Sequence, residues 1–243
     1  MGRTDRVYLS PGRAHTPLVP RARVSQSSRN MTDVSHRILV IDTATAACSV
    51  ALIEDGRVIA AQHREVGRGH AEQLLPMIAD LPDGGRAAHI LVDVGPGSFT
   101  GLRVGIAAAR GLALGWDASV AGYSSLSLIA AADFTAGRAG EIAVMLEGGH
   151  GEVFVQSFAA GPVPLDELAS LKPEAAIAAL GARYPVGNGV RWLQQVAPDL
   201  AGRPALPDAA DALLLPDALA TLPPRPLYGR APDAKLPGGK IPA

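Results

Sequence analysis

Between Arg37 and Val66 the chain runs through three extended apolar segments joined by short turns, and from His70 onward its hydrophobic period lengthens and then alternates. That succession restricts the fold more than any other feature. Arg37 to Thr43 (RILVIDT) is rich in β-branched residues and ends in an acid, the pattern of a buried strand delivering Asp42 to its carboxyl end. Ser49 to Glu54 (SVALIE) closes on Asp55-Gly56, a two-residue hairpin signal, and Arg57 to Val66 resumes the extended pattern, so the three strands should be antiparallel. From His70 to Leu81, Leu74, Ile78 and Leu81 share one stripe with Ala71 and Leu75 beside it, which predicts an amphipathic helix stopped by Pro82 and Gly84-Gly85. His89 to Val94 reads as another buried strand. Gly95 to Gly101 turns the chain into an Ala-rich helix, Leu102 to Leu114, in which Gly101, Gly105 and Ala109 stand four apart on a smooth face suited to close packing. A strand at Ser119 to Tyr123 and a helix from Ser125 to Ala132 follow.

An antiparallel meander continued by right-handed parallel crossovers is the ribonuclease-H-like core of the actin-like α/β fold. Aromatic residues are only 4% of the chain, so the core must be built from small aliphatic side chains. We expect a disordered N-terminal extension over residues 1–36, an actin-like lobe over 37–136, a smaller second lobe over 137–222 and an extended tail over 223–243. The second lobe would hold strands at Glu141 to Leu146 and Glu152 to Phe158 and helices at Pro173 to Leu180, Val190 to Val196 and around Ala209 to Leu219. The first 30 residues contain six arginines and a single acid without a signal-peptide apolar run; Met31, just before the first strand, marks an alternative start, an Arg-rich targeting arm being the other origin. The remaining 16 basic and 22 acidic residues give the body a charge of about −6, which disfavours nucleic-acid binding by the chain alone. No stretch reaches the roughly 18 consecutive apolar residues of a membrane span. The lone Cys48 lies in an apolar run and reads as a buried thiol, which together with the missing signal peptide predicts a cytoplasmic protein.

Two turns could contact a nucleotide or another anion. Kinases of the actin-like fold hold phosphates between glycine-containing turns, because glycine lets backbone N–H groups approach the anion. The first turn here, Asp42-Thr43-Ala44-Thr45, carries Ala44 where an active kinase has glycine, and simple capping of the strand end is the competing interpretation. The second, with Gly95, Gly97, Ser98 and Thr100, follows a strand and opens a helix, but it lacks the lysine of a Walker A loop, and Asp93 upstream would repel phosphate. Helix capping by Ser98 or Thr100 competes equally there. Gly97-Ser98-Phe99-Thr100-Gly101 also has the spacing of a nucleophile elbow, with no His and acid to partner Ser98. The body's histidines form no i, i+4 pair, so no metal site is expected.

Four segments, IDTATAACSVALIEDG (Ile41 to Gly56), HAEQLLPMI (His70 to Ile78), GPGSFTGLRVGIAAARGLAL (Gly95 to Leu114) and PLYGRAPDAKLP (Pro226 to Pro237), resemble the TsaB (YeaZ) family in the family's own order. The resemblance implies a non-catalytic partner subunit. In that family it dimerises with the catalytic paralogue TsaD, assisted by the ATPase TsaE, in the complex that transfers threonylcarbamoyl to N6 of the adenosine 3′ of the anticodon in tRNAs reading ANN codons. It implies tRNA contact only through the complex, no membrane association, no intrinsic cofactor, ATP or ADP at the assembled complex, and room for a homodimer of the isolated chain. The paralogue's metal-binding H-x-x-x-H pair corresponds here to Ser125 and Ile129, neither of which can replace a histidine ligand. The partner interface it implies lies on the helices His70 to Leu81 and Leu102 to Leu114, through His70, Gln73, Leu74, Met77, Leu102, Gly105, Ile106 and Ala109. Burial of those residues within the domain is the competing interpretation. Two departures from the family pattern are Asp93-Val94 where Gly-Arg precedes the Gly-Pro-Gly turn, and Glu147 to Val153, which lacks two family arginines. An enzyme of the same fold, a threonylcarbamoyltransferase or phosphotransferase, is the alternative function, disfavoured by Ala44 and the missing His pair. Peptidase activity, a label sometimes attached to this superfamily, has no catalytic constellation behind it.

Overall fold

In the computed structural model, residues 36–229 are described throughout, together with the backbone of the strand at residues 6–9. Strands β1 (Arg6–Leu9), β2 (Arg37–Asp42), β3 (Ala47–Glu54), β4 (Arg57–Glu65), β5 (His89–Asp93) and β6 (Ser119–Tyr123) form one sheet in the order β1-β4-β3-β2-β5-β6. β2, β3 and β4 are an antiparallel meander, and β5 and β6 join parallel to β2. Helices α1 (His70–Ala79) and α2 (Phe99–Trp116) supply the crossovers and cover one face. This is the ribonuclease-H-like order, and the fold is the actin-like α/β fold expected from the sequence. The extension departs from expectation at one point: Arg6–Leu9 pairs antiparallel with Ala60 to His63 on the outer edge of β4, where unpaired backbone groups are open to an added strand. The rest of residues 1–35 lies outside the described residues, as does the tail beyond Gly229.

α3 (Ser125–Thr135) links this sheet to a second one of β7 (Ile142–Gly149), β8 (Glu152–Ala159), β9 (Val163–Pro164), β10 (Ala169–Leu171) and β11 (Tyr184–Val186), packed with α4 (Pro173–Leu180) and α5 (Val190–Val196). α3 carries apolar residues all round and is buried on both sides: Leu128 and Ala131 face the first sheet's core, while Leu126, Ile129 and Ala130 face the second's.

The segment after α5 does not stay in the second lobe. Arg203 bridges to Val186 at the edge of β11, and its guanidinium donates twice to the buried Asp133 of α3, at 2.8 and 2.6 Å. Beyond it two 3-10 turns (Ala209–Leu214 and Asp217–Leu219) replace the single helix expected there, and Pro216 between them accounts for the break. Ala209, Ala212 and Leu215 are buried against Val40, Ala51 and Leu91 on the sheet face opposite α1 and α2. This strap, residues 203–229, then pairs Leu222 with Gly122 on the edge of β6, and the Leu227 N–H donates to the Val94 carbonyl at 2.7 Å. Residues 209–222 therefore belong physically to the first lobe.

The Asp133–Arg203 contact fixes where the strap leaves the second lobe. Arg203→Ala should cost about 2 kcal/mol, the range of a charge-assisted hydrogen-bonded pair, and raise amide exchange across residues 209–215. Unchanged urea stability and exchange would show that the strap holds without it.

Candidate functional site

The candidate site sits where three parallel strands end together. β2 and β5 pair with Ile41 opposite Val92, so Asp42 and Asp93 leave adjacent strand ends at one level, and Asp93 lies opposite Tyr123 of β6. All three are fully buried. The Tyr123 hydroxyl donates to Asp42 Oδ2 at 2.9 Å, and the Ser125 hydroxyl donates to Asp93 Oδ2 at 2.6 Å. Burial, and then the neighbouring Asp93 charge, push the Asp42 carboxyl well above the usual carboxylate range. Burial raises Asp93 too, opposed by hydrogen bonds from Asp42, Ser125 and the Gly95 N–H. Burial and the mutual repulsion of the two carboxyls therefore favour the protonated form of Asp42 more strongly than that of Asp93. Burial and the two carboxyls likewise push the Tyr123 phenol well up.

The two turns pack against each other. The Thr43 hydroxyl donates to the Gly101 carbonyl at 2.8 Å, and the Ser98 N–H donates to the Ala44 carbonyl at 2.6 Å. A Cβ on Gly97 would overlap the Ala44 carbonyl oxygen, and one on Gly101 would overlap the Thr43 carbonyl oxygen. One on Gly105 would overlap the Thr43 hydroxyl. The missing Cβ at each of these positions lets turn and helix approach so closely. His70 fixes the first turn from the other side, its Nε2 donating to the carbonyls of Thr45 and Ala47 at 2.9 and 3.1 Å. Because both partners are carbonyls, that nitrogen must carry the proton.

Each proposed anion contact has a position in this packing. Asp42, Thr43 and Thr45 are buried, the Thr45 hydroxyl accepting from the Ala47 N–H at 3.2 Å. Asp93 does face the turn, accepting the Gly95 N–H at 2.7 Å. Ser98 caps α2 by accepting from the Gly101 N–H at 3.2 Å. The amides of Gly95, Ser98 and Gly101 are therefore engaged within the chain, while Ser98 and Thr100 keep exposed side chains. The Gly95-Pro96 peptide is cis. Among the described residues no group of three or more His, Cys, Asp or Glu is placed to hold a metal, and no helix is long and apolar enough to cross a membrane.

The interface residues read from the helices need correction. His70, Leu74, Met77, Leu102, Gly105, Ile106 and Ala109 are all buried inside this chain, and Gln73, half-buried, accepts from Arg64 at 3.2 Å. The smooth face of α2 meets Thr43 and Ile41 rather than a foreign helix. The outward faces instead carry Ala71, Leu75, Pro76 and Ala79 on α1, and Thr100, Ala107, Gly111 and Leu114 on α2. Leu75 is 52% exposed and Leu114 88%. Tyr123 was missed as a member of the site. Its signal was its place at the end of a third parallel strand.

Two outcomes test this geometry. Gly97→Ala should lower stability by roughly 2–3 kcal/mol, because the obstructing atom is backbone; an unchanged urea midpoint would refute the close approach. Asp42's folded pKa lies above its unfolded value, so its contribution is present at low pH and lost as pH rises through the folded value. Asp42→Asn, which mimics the protonated acid, should remove that loss and gain stability relative to the natural chain as pH rises. Parallel pH profiles of urea stability for the two proteins would contradict the raised Asp42 pKa.

Residues 57–197 match the family described as TsaD: tRNA N6-adenosine threonylcarbamoyltransferase. The chain is 41% identical over 126 residues to the Escherichia coli tRNA threonylcarbamoyladenosine biosynthesis protein TsaB. That match covers 49% of this chain and 53% of the E. coli protein, so the chain spans about half the length of the curated TsaB relative it matches. An uncharacterised Mycobacterium tuberculosis protein is 32% identical over 210 residues, 82% of this chain and 93% of that one. The solved structure of YeaZ from Pseudomonas aeruginosa superposes with a TM-score of 0.64 at 30% identity, covering 74% of this chain and 89% of that one. With the shared fold and the strand-end turns in place, the chain belongs to the TsaB (YeaZ) family.

Proposed function

We propose that this chain is a non-catalytic partner subunit of the complex that transfers threonylcarbamoyl to N6 of the adenosine 3′ of the anticodon in tRNAs reading ANN codons. In this role it docks on and activates a TsaD-like catalytic paralogue, with a TsaE-like ATPase in the same assembly. The observation that carries the proposal is the fate of Ser125 and Ile129, which correspond to the metal-binding histidines implied for the paralogue. Ser125 is fully buried and donates its hydroxyl to Asp93, and Ile129 is packed into the second lobe's core. Neither supplies a metal ligand.

The strand-end turns support the same role. Their glycines accommodate backbone from within the chain, several turn amides are already engaged, and the carboxyl pair lies directly beneath. ATP or ADP in the assembly would then be held by the other subunits, and tRNA would be engaged by the assembled complex in the cytoplasm. For docking, the outward faces of α1 and α2 offer exposed apolar side chains, Leu75 and Leu114 foremost, of the kind that helix-to-helix association buries.

Reconstitution with the catalytic paralogue and the ATPase tests the proposal. Modification of tRNA should require this chain, and this chain alone should give none. Activity from the isolated chain would contradict the role. Leu75→Asp with Leu114→Asp should weaken association with the paralogue by at least about tenfold, and because both side chains are exposed it should do so without unfolding the chain. Unaltered association would place the contact elsewhere.

A further inference from the structure

Beside the docking face, on the flank of α2 that meets the strap, lies a small surface of different chemistry. Phe99, the first residue of α2, is 54% exposed, and Tyr228 of the strap is 47% exposed. Their ring centroids are 5.4 Å apart with planes 31° from parallel. The Arg103 guanidinium lies 3.6 Å over the Phe99 ring and 3.5 Å from the Tyr228 hydroxyl. Tyr228 is held there because the neighbouring Leu227 N–H donates to Val94. Two half-exposed aromatic rings ordered by a guanidinium are not explained by the chain's own core.

The local charge indicates what the rings meet. Residues 94–116 and 221–229 contain Arg103, Arg110 and Arg225, all exposed, and no Asp or Glu. Arg110 reaches the strap as well, donating to the Pro224 carbonyl at 2.6 Å, so helix and strap form one cationic ribbon. The body as a whole carries about −6, so two segments with three arginines and no acid run against its average. Stacked aromatic faces interleaved with arginine, on two segments that carry no acid of their own, suit unpaired nucleobases and the phosphates between them. A protein partner would be met better by the aliphatic face at Leu75 and Leu114.

We propose that Phe99, Tyr228 and Arg103 form a stacking platform for unpaired bases of the RNA, with Arg110 and Arg225 facing its phosphates. The inference rests on the functional proposal for the identity of that RNA as tRNA. It adds a direct contact from this subunit to what the catalytic partner holds.

The test uses the reconstituted complex and a fluorescein-labelled anticodon stem-loop, read by anisotropy. Phe99→Ala with Tyr228→Ala should weaken binding about tenfold, and Phe99→Tyr with Tyr228→Phe should restore it. Arg225→Gln should reduce the slope of log affinity against log salt by about one. Assembly, followed by size exclusion, should be unchanged throughout. Unaltered RNA affinity in an intact complex overturns the platform, and so does loss of assembly in the double alanine variant, which would assign the patch to a protein partner. If the natural components fail to assemble, it is the functional proposal that falls. The platform is then read on this chain alone at low salt with the same RNA, where equal affinity of natural and double alanine chains overturns it.

Discussion

The contact between the turn after β2 and the glycine side of the turn and helix after β5 organises the rest of the first lobe. Gly97, Gly101 and Gly105 present no Cβ where the Ala44 carbonyl, the Thr43 carbonyl and the Thr43 hydroxyl press against them. Two parallel strand ends are thereby held together with their carboxylates side by side. The cost of burying two acids is offset by hydrogen bonds from a tyrosine, a serine and a backbone N–H. A segment with the outline of a phosphate loop becomes a piece of interior packing.

From that junction the consequences run outward along two paths. Through α2, the junction sets which residues face the sheet and which face solvent, leaving Leu114 and Ala107 outward and Ile106 and Ala109 inward. Through Val94 and Gly122, the strap is seated along the edge of β6 and reaches the start of α2. The second lobe is tied to the same frame by α3, whose first residue holds Asp93 and whose Asp133 holds Arg203.

Most elements were legible because their signals are local. The Asp55-Gly56 hairpin, the alternation of strands and helices and the Gly95 to Gly101 turn all depend on residues near in sequence. The buried carboxyl pair was not, since Asp42, Asp93 and Tyr123 meet only through the parallel register of β2, β5 and β6. The interface residues were misplaced for a related reason. α1 has apolar side chains on two flanks, and periodicity alone does not tell the buried Leu74 from the exposed Leu75. His70 looked like a surface residue because its partners, the carbonyls of Thr45 and Ala47, are remote in sequence. The strap was unreadable because its segment is Pro- and Ala-rich without a clear period, and its position depends on Arg203 finding Asp133.

The central claim is that the strand-end turns serve packing in this chain rather than holding a nucleotide. Amide chemical shifts of the isolated chain during titration with ADP and magnesium test it most directly. The account predicts that Gly95, Gly97, Ser98, Thr100 and Gly101 do not move. Saturable shifts confined to those amides would contradict it.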